Sequence, residues 1–196
     1  MGAMTVAHVF SRVSGSLERA GIAWMLTGSF ASNYYGAPRS TQDIDLVIAA
    51  TPQQIRTFIG QLSENEYYFD LETAVEAAQR HSLFNIIDIA TGWKIDLIFQ
   101  KPGDFHHQAF QRRTRAELEG IPVFVATAED VIIAKLEWAK TTESSQQITD
   151  IARILQVRRE QLDQRHIEKW VTALELATGW KAALSQAGMP LDNPQP

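Results

Sequence analysis

Val6, Phe10, Val13 and Leu17 recur at spacings of three and four, so the chain opens on an amphipathic helix that ends near Gly21. The period then changes. Ile22 to Thr27 is a short apolar run punctuated by Gly28-Ser29. Ile44 to Ala49 is a second run, rich in β-branched residues and followed by Thr51-Pro52, a helix-start signal. Strand, helix, strand, helix is the simplest parse up to Gln61. Ser82 to Phe99 reads as a hairpin, with Phe84, Ile86 and Ile89 in one strand, Ala90-Thr91-Gly92 at the turn, and Ile95, Leu97 and Phe99 alternating in the other. Gly103 to Arg115 is polar and either irregular or helical. Ile121 to Val125 is the last strand, and its Pro122 favours a sheet edge or a strand start.

Beyond Ala126 the pattern is helical throughout. Thr127-Ala128-Glu129-Asp130 resembles a capping box before Val131 to Lys140, Ser144-Ser145 caps a helix through Leu155, and Asp163 opens another that contains Ile167, Trp170, Val171 and Leu174. The expected organisation is a mixed α/β core over residues 1–126, a C-terminal α-helical subdomain over 127–189 and a loose tail over 190–196.

Composition narrows the chemistry. The 196 residues include no cysteine, which excludes disulfides, thiolate metal sites and a thiol nucleophile and suits a reducing, cytoplasmic setting. A formal net charge of −5 argues against a broad phosphate-binding surface while leaving room for a local basic groove. No apolar run approaches the ~18–20 residues of a membrane span, and the N-terminus lacks a signal-peptide pattern, so no membrane partner is expected. Met1-Gly2-Ala3 before Met4 reads as an extension ahead of a natural start and is given no role.

The candidate chemistry lies in Asp43-Ile44-Asp45, at the head of a predicted strand. Side chains alternate along a strand, so both carboxylates share one face about 6.5 Å apart and repel each other unless water or a cation screens them. Hard divalent cations, about 3.5–4 Å apart when paired, are what such carboxylates share in phosphoryl-transfer sites. Gly28 directly after a strand lets backbone approach a ligand closely, and Ser29 at the start of the next helix can offer its hydroxyl and amide hydrogens to phosphate. Taken singly, these are solvated acids and a turn glycine with a capping serine. Their joint order, strand, Gly-Ser, helix and Asp-x-Asp on the following strand, is much less common.

That order, with a 13-residue gap between Gly28-Ser29 and Asp43-Ile44-Asp45 and with Arg39-Ser40-Thr41-Gln42 ahead of the acids, resembles the signature of the nucleotidyltransferase superfamily. Within it the resemblance is to the minimal, AbiEii-toxin-like members. It implies a nucleotidyltransferase-like mixed β-sheet flanked by helices, with a C-terminal α-helical subdomain. It also implies an enzyme that moves a nucleoside monophosphate from an NTP to an acceptor hydroxyl, with RNA or protein favoured as acceptor. A cognate antitoxin or a second copy would be the partner. Asp43 and Asp45 would hold two Mg²⁺ or Mn²⁺ ions with a third acid, best matched by Asp96 in Trp93-Lys94-Ile95-Asp96; Asp88 on the other hairpin strand competes for that place. Gly28 and Ser29 would contact the triphosphate. Thr127 to Lys140, with Lys135, and then Asp150 resemble the Lys-Leu and downstream Asp segments of such proteins, whereas Gln146-Gln147 stand where toxin-like relatives often carry a basic residue and an acid.

Lys135 also stands out on its helical wheel, where Val131, Ile132, Trp138 and Ala139 surround it. Beside a carboxylate site it is assigned to triphosphate binding, against the alternative of a snorkelling lysine. His106-His107 read as exposed histidines, and Arg112, Arg113 and Arg115 as a solvated cluster or, in the minority view, a groove for substrate phosphate. Trp138, Trp170, Tyr34 and Tyr35 read as core or partly buried packing. Two competitors stay open. One is a non-catalytic nucleotide-binding or antitoxin-like module of the same fold, and the other is a small-molecule, aminoglycoside-type nucleotidyltransferase.

Overall fold

A computed structural model describes residues 6–118 and 120–190. The Met1 to Met4 start and the tail over 191–196 lie outside the described residues. The described chain divides into two compact units: one takes in the chain up to Phe30 and Ser40–Ala126, the other Ala31–Arg39 and the chain from Thr127 onward.

The first unit is built on a seven-stranded mixed sheet. Its strands are β1 (Ala23–Leu26), β2 (Asp43–Ala49), β3 (Tyr67–Tyr68), β4 (Leu83–Asp88), β5 (Lys94–Phe99), β6 (Thr114–Leu118) and β7 (Ile121–Val125), in the order β3-β4-β5-β2-β1-β7-β6. Two neighbouring pairs, β2 with β5 and β1 with β7, run parallel, and the others are antiparallel. Along β2 and β5 burial alternates strictly, so Ile44, Leu46, Ile48, Ile95, Leu97 and Phe99 fill one face. Against that core pack α1 (Val6–Arg19), α3 (Pro52–Ile59) and α4 (Leu71–Arg80). Phe10 of α1 meets Trp24 of β1 edge to face at 5.4 Å, and Trp24 meets Phe124 of β7 at 5.9 Å. Thr51 caps α3 with a full capping box through Gln54, as Thr51-Pro52 foretells.

The hairpin of β4 and β5 carries one buried carboxylate. Asp88 ends β4, accepts from the Thr91 amide at 2.9 Å and hydroxyl at 2.6 Å, and is paired with Arg12 of α1. It is fully buried on the core side of the sheet, which removes it as a competitor for the third ligand. Ile89 lies past the end of β4 and is exposed, because the strand stops where Asp88 closes the turn. Pro122 is second in β7, but β7 is not an edge: β6 covers it, with Glu117 opposite Pro122. The polar stretch after Gly103 is helical, α5 (Asp104–Arg112).

The second unit is helical: α6 (Ala128–Thr142), α7 (Ser145–Arg158), α8 (Gln164–Ala173) and α9 (Ala177–Gln186). The short α2 (Gly28–Tyr34) contributes its residues from Ala31 onward to this unit. The Thr127 hydroxyl accepts from the Asp130 amide to start α6, and Asp163 caps α8 through the His166 amide. Gly179 of α9 lies where a Cβ would come 3.1 Å from Leu136, so its missing side chain lets α9 sit close on α6.

Removing Asp88 leaves Arg12, itself partly exposed, with Glu66 at 3.8 Å as its remaining counter-charge among the described residues and leaves the Thr91 donors without their acceptor, so Asp88→Ala is expected to destabilise the protein by about 2 kcal/mol in urea denaturation. An unchanged unfolding midpoint would show that Asp88 does not anchor the hairpin to α1.

Candidate active site

The register of β2 on β5 decides what the acids can do together. Asp43 lies opposite Lys94, and Asp45 opposite Asp96. Paired strands run ~4.8 Å apart and alternate residues share a face, so Asp43, Asp45, Lys94 and Asp96 form a four-cornered patch on the face turned away from Ile44 and Ile95. Asn85 of β4 continues the row beside Asp96. At the other side the Thr27 amide donates to the Asp45 carbonyl at 2.9 Å, which brings the end of β1 alongside. Gly28 follows with φ +60°, and a Cβ there would lie 2.8 Å from Asp45 Cβ and closer still to its carboxylate. Only glycine lets the chain turn from β1 into α2 against that acid.

A cation already stands in the patch. Lys94 Nζ lies 3.0 Å from Asp96 Oδ2 and 3.3 Å from Asp43 Oδ1. The hydrogen bond to Asp96 holds the ammonium pKa above its ordinary value; burial opposes this, and the charges of Asp96 and Asp43 add to it. Asp96 Oδ1 is buried and has no hydrogen-bond partner among the described residues. Also among the described residues, no three His, Cys, Asp or Glu side chains converge as a ready-made ion cage. The donor set nevertheless fits a hard divalent ion: carboxylate oxygens only, one of them lacking a donor, arranged round a position that accepts positive charge. The sequence reading groups Asp43, Asp45 and Asp96 but gives Lys94 and Asn85 no part. The signal for Lys94 is its place two residues before Asp96, which on a strand means the same face.

The other sequence-singled residues form separate groups. Lys135, in the second unit, is buried, and its ammonium donates to Asp150 Oδ2 and Gln147 Oε1, each at 2.9 Å. A snorkelling lysine would keep that ammonium in water, and this one does not. Asp150 is fully buried and also takes Arg39 Nε at 3.2 Å and Gln146 Nε2 at 2.9 Å. Gln146 and Gln147, the departure from the toxin-like pattern, are thus partners of this pair. Burial alone would raise the Asp150 pKa, yet the hydrogen bond and charge of Lys135, with Gln146 and Arg39, hold it below the ordinary carboxylate value.

His106 is half-buried rather than exposed, and burial, with the Lys101 charge, pushes its pKa down to about 4. Arg113 donates to the Phe110 carbonyl at 2.6 Å and lies over the Phe110 and Phe124 rings, and Arg115 also lies over Phe124. Two of the three clustered arginines therefore serve aromatic packing. Trp170 and Tyr35 are buried as expected, whereas Trp138 is 52% and Tyr34 43% exposed. Trp138 stands on the outer side of α6, where the apolar stripe ends.

Neither a protein-family model nor a curated protein sequence matches the chain. Solved structures do. The chain superposes on an antigenic nucleotidyltransferase-like protein from Paracoccidioides brasiliensis with a TM-score of 0.53 and 16% identity, covering 93% of this chain and 94% of that one. It superposes on the lincomycin-bound lincosamide antibiotic adenylyltransferase LnuA with a TM-score of 0.52 and 12% identity, covering 76% of this chain and 96% of that one. The fold is nucleotidyltransferase-like, as the sequence resemblance implies. Among the described residues no helix is long and apolar enough to cross a membrane.

An acid with a depressed folded pKa stabilises the protein above its unfolded value, and that stabilisation is lost as pH falls through the folded one. Asp150→Asn is therefore expected to be less stable than wild type at pH 7, with the difference shrinking as urea titrations move below pH ~4. A difference that stays constant down to pH 2 would contradict the pairing of Asp150 with Lys135 and Arg39.

Proposed function

We propose that this chain, folded as nucleotidyltransferases are, transfers a nucleoside monophosphate from an NTP to an acceptor hydroxyl and releases pyrophosphate in a metal-dependent reaction. The observation that carries the reading is the register of Asp45 on Asp96 beside Asp43, with Gly28 packed on the Asp45 carboxylate. Asp43, Asp45 and Asp96 would hold the divalent cations, Mg²⁺ or Mn²⁺. What such ions supply when bound is neutralisation of the triphosphate and a lower pKa for the attacking hydroxyl. Gly28 admits phosphate close to the backbone, and Ser29 orients it. For Lys135 the proposed role in phosphate binding requires it to exchange Gln147 or Asp150 for a phosphate oxygen. No protein nucleophile is needed, because the acceptor attacks directly.

For the acceptor, the resemblance to toxin-like transferases favours a macromolecule, RNA ahead of protein, with an antitoxin or a second copy as partner. A small-molecule hydroxyl is the second reading. It is favoured by the packing of Arg113 and Arg115 on Phe124, which leaves less of the cluster for a polynucleotide backbone, and by the likeness to a lincomycin-bound adenylyltransferase.

Pyrophosphate release with each labelled NTP, in the presence of Mg²⁺ and either total RNA, protein, lincosamides or aminoglycosides, tests the reading. Asp43→Asn and Asp45→Asn are expected to lose turnover by about a hundredfold or more. Asp45→Asn should melt no lower than wild type, since one of a set of repelling charges is gone. Wild-type turnover in both variants would remove the carboxylates from the chemistry, and nucleotide binding without pyrophosphate release in the unaltered protein would assign it to the non-catalytic module.

A further inference from the structure

Lys94 stands between two of the acids that the proposed function reads as metal ligands. Its Nζ bridges Asp96 Oδ2 at 3.0 Å and Asp43 Oδ1 at 3.3 Å, acids from two strands that the parallel register sets side by side. The bridge leaves Asp96 half-served: Oδ2 is held, while Oδ1 is buried without a donor among the described residues. An ion that takes Asp96 Oδ2 or Asp43 Oδ1 must first displace the ammonium, whereas Asp96 Oδ1 is not engaged by it. Lys94 is tethered two residues from Asp96 on the same strand face, so its local concentration at the acids is high and it leaves only by swinging its stem outward.

We propose that Lys94 is a resident cation that competes with one of two divalent ions for Asp43 and Asp96. One ion then binds without moving the ammonium, and the other binds only by displacing it. The inference rests on the reading of these acids as metal ligands and adds a residue that sets how many ions the site holds.

The test counts Mn²⁺ bound to the full chain at constant pH by the electron paramagnetic resonance signal of free Mn²⁺, without nucleotide. Wild type is expected to bind one ion well and a second at least about tenfold more weakly. In Lys94→Met, which keeps an apolar stem, the second step should tighten by about tenfold or more, and Lys94→Arg should restore the weak step. Identical two-step binding in wild type and Lys94→Met, with both variants folded by circular dichroism, would overturn the competition and leave the metal reading standing. Failure of every form to bind Mn²⁺ would overturn both.

Discussion

The parallel register of β2 on β5 is the constraint on which the acidic patch of the α/β unit depends. The parallel pairing of β2 with β5 sets Asp45 beside Asp96 and Asp43 beside Lys94, and neither strand can slip by one residue without turning Ile44, Leu46, Ile95 and Leu97 out of the core. The burial of the apolar face therefore fixes the acids on the other. Lys94 meets Asp43 and Asp96 there. Gly28 extends the same constraint to β1, because the chain turns against the Asp45 carboxylate at a point where no side chain fits.

Two further carboxylates show what a structural acid looks like in this protein. Asp88 and Asp150 are both fully buried. Asp88 is closed by Arg12 and both donors of Thr91; Asp150 is closed by Arg39, Lys135 and Gln146. Such acids tie elements together, and breaking the tie costs stability. Asp43 and Asp96 differ in kind, since they share one partly exposed ammonium and Asp96 keeps a buried oxygen without a donor among the described residues. A buried acid oxygen without a donor is what marks these residues as a candidate site.

Much of this was legible in the residue pattern, for physical reasons that differ by element. The 3.6-residue period of α1, the alternation of β2 and β5, the Thr51 box before α3 and the caps at Thr127 and Asp163 each report a local rule that tertiary packing also obeys. The helix α4 escapes the hydrophobic reading because alanines, Ala74, Ala77 and Ala78, make much of its buried face; its readable signal is Asp70 capping through Thr73. The strand β6 is a polar edge with little alternation, and β3 is two residues long. The acids of the candidate site were visible as a spacing, and Lys94 as a same-face neighbour two residues before Asp96, but its place against Asp43 depends on the register of β2 on β5, which no local pattern reports. The engagement of Lys135 by Asp150 likewise depends on how α6 and α7 meet, which helix periodicity does not specify.

The central claim is that these carboxylates receive a divalent ion together with a nucleoside triphosphate. The most direct measurement is the melting temperature of wild type and Asp45→Asn with Mg²⁺, with each of the four non-hydrolysable NTP analogues, and with both. Ligands that bind only the folded chain raise its melting temperature. The account predicts that Mg²⁺ and at least one analogue together raise the wild-type value by more than the two separate shifts combined, and that Asp45→Asn shows no such excess. No joint shift in wild type, or an equal one in the variant, would contradict it.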